Sequence, residues 1–462
     1  MSATRATHAM TALRAAVSRA SRRDLGLARV PTSWDAAAAA ALRTRNRRRV
    51  RAHVQSEDVV SRSKDDAAAA HAASRAPLAY ASARRAMEEV KWRKPHWKPQ
   101  DVFCDVAKVG EGLLAAIEVW PTVRRGVAVE PDEAMARLGD QLLRHGGKQD
   151  LAVRWFKSWK GVQGPFDVVL SAFAASEEVE DVDARVDALW ENTKDVLVLL
   201  EKGNAAGFDA VLHARTRILA RGDGHVLAPC AHEGTCPLQG GPRRCRVSQR
   251  VERAQAQRLA LGAHRTYGDV SFSYVILQKG ERTKLRRHEP DPTLWEALAQ
   301  EGIQAGPYKQ LKHAWKPHVE ELLALGERME NGTADPPIQT PYEQVVAEEE
   351  EAEATPADDE RSVKRRLESA PVVQSMATEL GANSEEWGRM VEVPRKRSRH
   401  VRFQVCRPCT DQHGNTDFKN GELVEHILTK AKHHESKHAG YSLYRQARKS
   451  SLGDLWPFPM RG

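Results

Sequence analysis

Apolar positions along the chain fall into two alternating patterns. Short runs rich in Val and Leu occupy 101–109 (DVFCDVAKV), 126–130 (GVAVE), 166–175 (FDVVLSAFAA) and 195–203 (DVLVLLEKG). GEGLLAAIEVW, PDEAMARLGDQLLRHG and VDARVDALWENT lie between them and FDAVLHARTRILARG follows, all with apolar residues at helical spacing. Near-continuous apolar strands separated by amphipathic helices predict a parallel sheet covered on both faces, a doubly wound Rossmann-like α/β fold over 101–223. Its ligand crevice should lie at the carboxyl ends of the strands.

The flanks read differently. Residues 58–93 are alanine-rich and helical in pattern until Pro95 and Pro99 end the run, so 31–100 is predicted as a helical N-terminal region. Within 281–390, HEPDPTLWEALAQEGI and PHVEELLALGERM fit amphipathic helices, and 343–360 holds nine acids and no base. Such a run cannot bury enough apolar surface to order itself, which predicts a flexible acidic linker inside an insertion. Residues 391–462 carry fourteen Lys/Arg against seven Asp/Glu, a basic C-terminal module. In it, ELVEHILTKAKH fits a strand or a helix.

The formal net charge of +9 points to an anionic partner rather than to any fold. No run approaches the roughly 20 apolar residues of a membrane helix, so no membrane span is expected. The first 23 residues hold five arginines and no acid, with Leu13 and Val17 on one helical face. That composition suits a mitochondrial transit peptide, here 1–30, and with it a matrix location; an ordinary basic tail is the alternative. RTRNRRRVRAHV (43–54) extends the positive charge, either as an RNA contact or as a solvated helix.

Candidate chemistry concentrates in 224–280. Cys230, Cys236 and Cys245 form a C-x5-C-x8-C array that Pro229, Pro237, Gly240, Gly241 and Pro242 keep out of helix or long strand. Turns therefore present the sulfurs, as in metal-binding knuckles. Arg243, Arg244, Arg246 and Arg250 follow at once, so metal-ligating and phosphate-binding groups adjoin. Three thiolates leave a tetrahedral zinc or a four-thiolate cluster one ligand short. Cys406 and Cys409, in VRFQVCRPC, are the remote candidates, and His232 is the local one, which would give a Cys3His zinc site. Arg395, Lys396, Arg397 and Arg399 lead into that strand.

The α/β core offers a second candidate site. In nucleotide or S-adenosylmethionine pockets the first strand ends in an acid and a glycine-rich loop, and an acid ending the second strand accepts from a ribose diol. Asp105 and Glu130 stand at those places. The loop departs from D-x-G-x-G-x-G: Ala107, Val109 and Glu111 occupy the glycine positions, while Gly110 and Gly112 fall one place out of phase. Side chains at φ-permissive positions should crowd the pocket. GNAAGF (203–208), after the fourth strand, lacks the polar and aromatic groups a methyl-transfer site would use.

APC-x-H-x-G-x-CPL, then C-x-x-SQR-x-x-R, then FSYVILQKG resembles the mitochondrial ribosomal small-subunit assembly family of methyltransferase-like proteins. FDVVLSAFAASEE, LVLLEKGNAAGFDAVLHAR and YSLYRQARKSSLGDLWPF extend the resemblance in order over most of 60–280 and 391–462. It implies a 4Fe–4S cluster on Cys230, Cys236, Cys245 and Cys406, with zinc as the alternative. It also implies a degenerate methyltransferase core in which Asp105, Gly110, Gly112, Glu130 and Ser171 are remnants of an S-adenosylmethionine pocket. The expected partners are mitochondrial small-subunit rRNA and mitochondrial ribosomal proteins, with the named arginines and lysine on phosphates. Tyr267, Phe272, Arg250 and Trp456 are candidates for stacking on bases. An active rRNA methyltransferase is the alternative function.

Overall fold

The computed structural model describes residues 27–45, 54, 63–145, 151–174, 181–230, 232–261, 265–282, 387–397, 400–410, 416–429, 444, 447–448 and 450–456. Residues 1–26 of the expected transit peptide, the acidic run and Arg399 lie outside them; residues 27–30 lie within.

Four parallel strands form the centre of the main sheet: β2 (Asp101–Asp105), β3 (Arg125–Val129), β5 (Phe166–Ala172) and β6 (Thr193–Lys202). Alternate residues on them feed two apolar clusters. Val102, Cys104, Val168, Leu170, Val196 and Val198 belong to one, and Phe103, Val127, Val169, Leu197 and Leu199 to the other. Because the side-chain period of a strand is two, one near-continuous apolar run supplies both faces. Helices Glu111–Val119, Glu133–His145, Val182–Glu191 and Ala205–Arg221 connect or follow these strands. Local chemistry sets their ends. Asp181 accepts from the Ala184 amide and Asn204 from the Gly207 amide, both at 2.9 Å, and Gly222 closes the last helix at φ +74°.

The sheet is mixed rather than purely parallel, which corrects the expectation from the pattern. Its order is β1-β8-β9-β6-β5-β2-β3-β4, where β1 is Leu27–Ala28, β4 Ala152–Phe156, β8 Val247–Glu252 and β9 Tyr267–Lys279. β9 runs antiparallel to β6 on one side, and on the other to β8 and β7 (Gly224–Ala228). β4 escaped the pattern because its side chains are only partly covered at the sheet edge. The first strand ends at Asp105, not at residue 109, because Val106 turns left-handed at φ +53°.

A second, antiparallel sheet follows: β10 (Gly388–Met390), β11 (Arg395–Arg397), β12 (His400–Thr410), β13 (Thr416–Thr429) and β14 (Leu455–Trp456). ELVEHILT is thus strand, and the sheet includes β10, which precedes residue 391. On β12, Val401, Phe403 and Val405 point into a small core with Met390 and Trp456. Arg402, Gln404 and Cys406 consequently share the other face.

A buried ion cluster joins the two sheets. Arg389, opposite Cys406 in register, donates to both oxygens of Glu89 on the helix Ala76–Arg93 and, at 2.9 Å, to the Gly453 carbonyl. Tyr274 and Arg93 also donate to Glu89. Burial pushes the Glu89 carboxyl up, but Arg389 and Arg93 outweigh it and hold the group at about 2, against an ordinary 4.5. A carboxyl with a depressed folded pKa contributes stability above its unfolded value and loses it as pH falls. Glu89→Gln should therefore destabilise the protein near pH 7 by about 3–5 kcal/mol, as for breaking a buried pair. The gap to wild type should close between about pH 4.5 and pH 2 in urea unfolding at stepped pH.

Candidate functional site

β7 delivers the chain through Pro229 to Cys230, and β8 begins two residues after Cys245. The intervening loop lies on the second sheet. The Glu233 amide donates to the Phe418 carbonyl at 2.7 Å, and buried Arg215 donates to the carbonyls of His232 and Gly234, each at 2.9 Å. A Cβ at Gly234 would sit 1.9 Å from the Lys419 carbonyl oxygen, so this close approach requires glycine.

Cys236, Cys245 and Cys406 pack in one cluster with Phe208, Leu238, Val391 and Leu423. Burial, then the neighbouring Cys230, Cys245 and Cys236, drive the Cys406 thiol well above its usual value. Burial and the Cys230 and Cys236 thiols likewise raise Cys245. Burial and Cys230 raise Cys236, while the Leu238 and Gln239 amides, aimed at its sulfur, pull the other way. Thus the structure brings four predicted thiols together from two sheets. Cys409 lies beyond an irregularity after Pro408, opposite Asp417. His232 is fully buried, with Nε2 3.7 Å from Cys406 Sγ. Burial and the nearby Arg215 and Arg282 charges lower its pKa to about 4. Among the described residues, no three His, Cys, Asp or Glu groups are close enough to hold a metal ion as they stand.

The crevice lies at the switch point, where the chain leaves β2 for β3 on one side and returns as β5 on the other. Its cavity of about 480 Å³ is lined by Asp105, Ala107, Lys108, Gly112 and Lys202 below and by His71 and Arg75 above. The acids there have protein partners. Arg185 donates twice to one oxygen of Asp105, at 2.9 and 2.6 Å; the Ser171 hydroxyl donates to the same oxygen and Trp159 to the other. Glu130 accepts from the Lys108 and Asp132 amides, and Glu111 meets His71 at 2.9 Å. The loop's left-handed residues are Val106, Lys108 and Gly110, not the positions where the motif sets glycine. A β-branched residue there is strained. Gly112 packs closely, and a Cβ there would lie 2.5 Å from Leu170 Cδ2 and require that side chain to shift. Of the five predicted pocket residues, Asp105 and Gly112 line the cavity, while Gly110, Glu130 and Ser171 do not; Glu130 and Ser171 reach it only through the Lys108 amide and Asp105.

The predicted phosphate contacts scatter around the knuckle. Arg243 and Arg246 are exposed, Arg244 is half-buried, and Arg243 reaches Gln404 on β12. Arg395 and Lys396 are exposed beside it, Arg395 pairing with Glu392. Arg250 is exposed but held by Asp269 and lies over Tyr267. Phe272 and Trp456 are buried, so packing overturns their expected role as base-stacking platforms. Sequence reasoning missed Glu89 and Arg389: one acid of the Glu88–Glu89 pair in a helical run and a base between Gly388 and Met390 give no sign of meeting.

A parallel sheet with acids ending its first two strands, extended by the antiparallel strand β9, defines a Rossmann-like, methyltransferase-type core. Residues 65–297, just over half the chain, match the family described as mitochondrial small ribosomal subunit Rsm22. The chain belongs to that family; the match includes Cys230, Cys236 and Cys245 and stops short of Cys406. It is 30% identical over 224 residues to the human mitochondrial ribosome assembly protein METTL17, covering 45% of this chain and 48% of that one. An Rsm22-cox11 tandem protein of Schizosaccharomyces pombe is 32% identical over 120 residues, 23% of this chain and 16% of that one. The chain thus spans about half the length of the human relative and a smaller share of the yeast one. Among solved structures, it is similar to the plantazolicin methyltransferase BpumL (12% identity, 50% of this chain and 95% of that one, TM-score 0.31). It is also similar to magnesium protoporphyrin IX methyltransferase from Synechocystis PCC 6803 (10%, 43% and 81%, TM-score 0.29).

Arg185 tests the self-occupied crevice. Arg185→Leu strands the Asp105 carboxylate and should cost about 2–3 kcal/mol in chemical unfolding, less than a fully buried pair because Arg185 reaches solvent.

Proposed function

We propose that this protein is a mitochondrial small-subunit assembly factor that holds rRNA on the basic surface around its cysteine knuckle. The methyltransferase-type core serves as scaffold. One observation carries the reading: one buried and three half-buried thiols from separate segments meet where the two sheets dock, with the exposed Arg243, Arg246, Arg395 and Lys396 on the flanking segments. A soft all-sulfur donor set in an apolar pocket suits a thiolate-bound metal. Cys230, Cys236, Cys245 and Cys406 would hold it, and it would supply a covalent link between the knuckle and β12. Around one zinc, four sulfurs at about 2.3 Å from the ion stand only about 3.8 Å apart. A 4Fe–4S cluster offers a separate iron to each thiolate and takes a wider set. Zinc remains the alternative.

The scaffold role is supported by the partners of Asp105, Glu130 and Glu111, each a protein group where a cofactor's polar atoms would bind. The relatives' mitochondrial designations and the family's description support the compartment, and the net positive charge supports the matrix rRNA partner.

Anaerobically purified protein should be brown and contain iron and sulfide, and Cys406→Ser should lose both and loosen the C-terminal sheet without undocking it. A colourless wild type with one zinc would replace the cluster; one with neither would remove the metal centre. Small-subunit rRNA fragments should bind with steep salt dependence, and Arg395→Ala and Lys396→Ala should each lower the log–log slope by about 1. Methyl transfer from S-adenosylmethionine to that rRNA would refute the scaffold role.

A further inference from the structure

Resting on the metal-centre reading, we propose that His232 is a positioning residue for the fourth sulfur: its Nε2–H donates to the Cys406 thiolate in the loaded site. The imidazole is fully buried, and Cys406 Sγ lies 3.7 Å from Nε2. At the ring's other nitrogen, Nδ1 has no hydrogen-bond partner, although the Gly234 backbone passes beside it. The ring cannot swing away. A Cβ on Gly421 of β13 would lie 2.2 Å from Cδ2 and Nε2, so strand backbone covers that face, and Arg215 fixes the carbonyls of His232 and Gly234.

A free thiol can face either nitrogen form, but a thiolate only accepts. Loading the site therefore selects the tautomer protonated on Nε2, since the other would set a lone pair against the anion. The donor holds Cys406 toward the other three sulfurs and draws charge from it. Hydrogen bonds of this kind orient metal ligands and raise the reduction potential of iron–sulfur clusters.

The test uses full-length protein purified anaerobically as wild type, His232→Phe, His232→Gln and Cys406→Ser. Metal content, release to a chelator and midpoint potential are measured on each. His232→Phe should keep wild-type metal content yet release it about 10- to 100-fold faster, at a more negative potential. His232→Gln, which returns an N–H at similar reach, should restore most of both. Unchanged release and potential in His232→Phe overturn the proposal, as does a Gln variant that releases metal as fast as Phe. So does metal that survives Cys406→Ser and not His232→Phe, which would make the histidine itself a ligand. Should His232→Phe not fold, the reduced wild-type cluster carrying 15N-histidine decides. Weak nitrogen hyperfine coupling supports a hydrogen bond, whereas strong coupling or none overturns it. A wild type that binds no metal overturns the metal-centre reading along with this one; a metallated wild type with indifferent variants overturns only this one.

Discussion

Burying Arg389 against Glu89 fixes how the two sheets meet. An unpaired buried charge costs several kcal/mol, so the guanidinium enters only where all its donors find acceptors. Those acceptors come from the N-terminal helix at Glu89, the knuckle at Pro229 and the C-terminal segment at Gly453. Tyr274 of β9 adds a donor to the same carboxylate. A small sheet docked through apolar contacts alone could slide by a residue; one that must thread this guanidinium into these acceptors cannot. Arg389 stands opposite Cys406, and directly paired residues share a face, so the register that seats the arginine also aims the cysteine at the knuckle.

The crevice follows the same logic of satisfied charge with the opposite consequence. Asp105, Glu130 and Glu111 occupy places where a nucleotide-type ligand would offer hydroxyl or amino partners. Here Arg185, two backbone amides and His71 fill those places. The partners also explain how Val106 and Lys108 tolerate left-handed backbone. The Lys108 amide is pinned to Glu130 and the Ala107 amide to the Val129 carbonyl, so the loop's shape is over-determined despite its side chains.

What the sequence revealed divides along the range of the interaction. Buried strands such as Val102–Cys104 and Val196–Leu200 announce themselves because both faces are apolar, and Pro/Gly spacing marks the knuckle as turns. β4 hid because an edge strand keeps only partial cover. The loop after Asp105 was read one residue out of phase, since composition names the glycines but not which residue the Glu130 carboxylate forces left-handed. Phe272 and Trp456 read as available aromatics because burial by the second sheet is invisible locally. Glu89 and Arg389 stand 300 positions apart, and neither bears a local mark of the other.

Chain separation also decides what a metal must contribute. His232 and Cys406 are 174 positions apart, and closing a loop of that length costs on the order of 4–5 kcal/mol from the length term alone. The Arg389 cluster, the Glu233–Phe418 backbone bond and the Arg215 clamp all act before any metal arrives, so they offset much of that cost within the protein. Cys406 is then delivered near its three counterparts by packing, and in the proposed metal centre thiolate coordination would have only to draw the set inward. Preassembly carries its own penalty, because Cys236, Cys245 and Cys406, packed in one apolar cluster, resist ionisation, and the cation of the proposed centre would have to replace their protons. The docked module is therefore held from two sides. Protein charge sets its register, and in the proposed metal centre the sulfur site would set how tightly it closes.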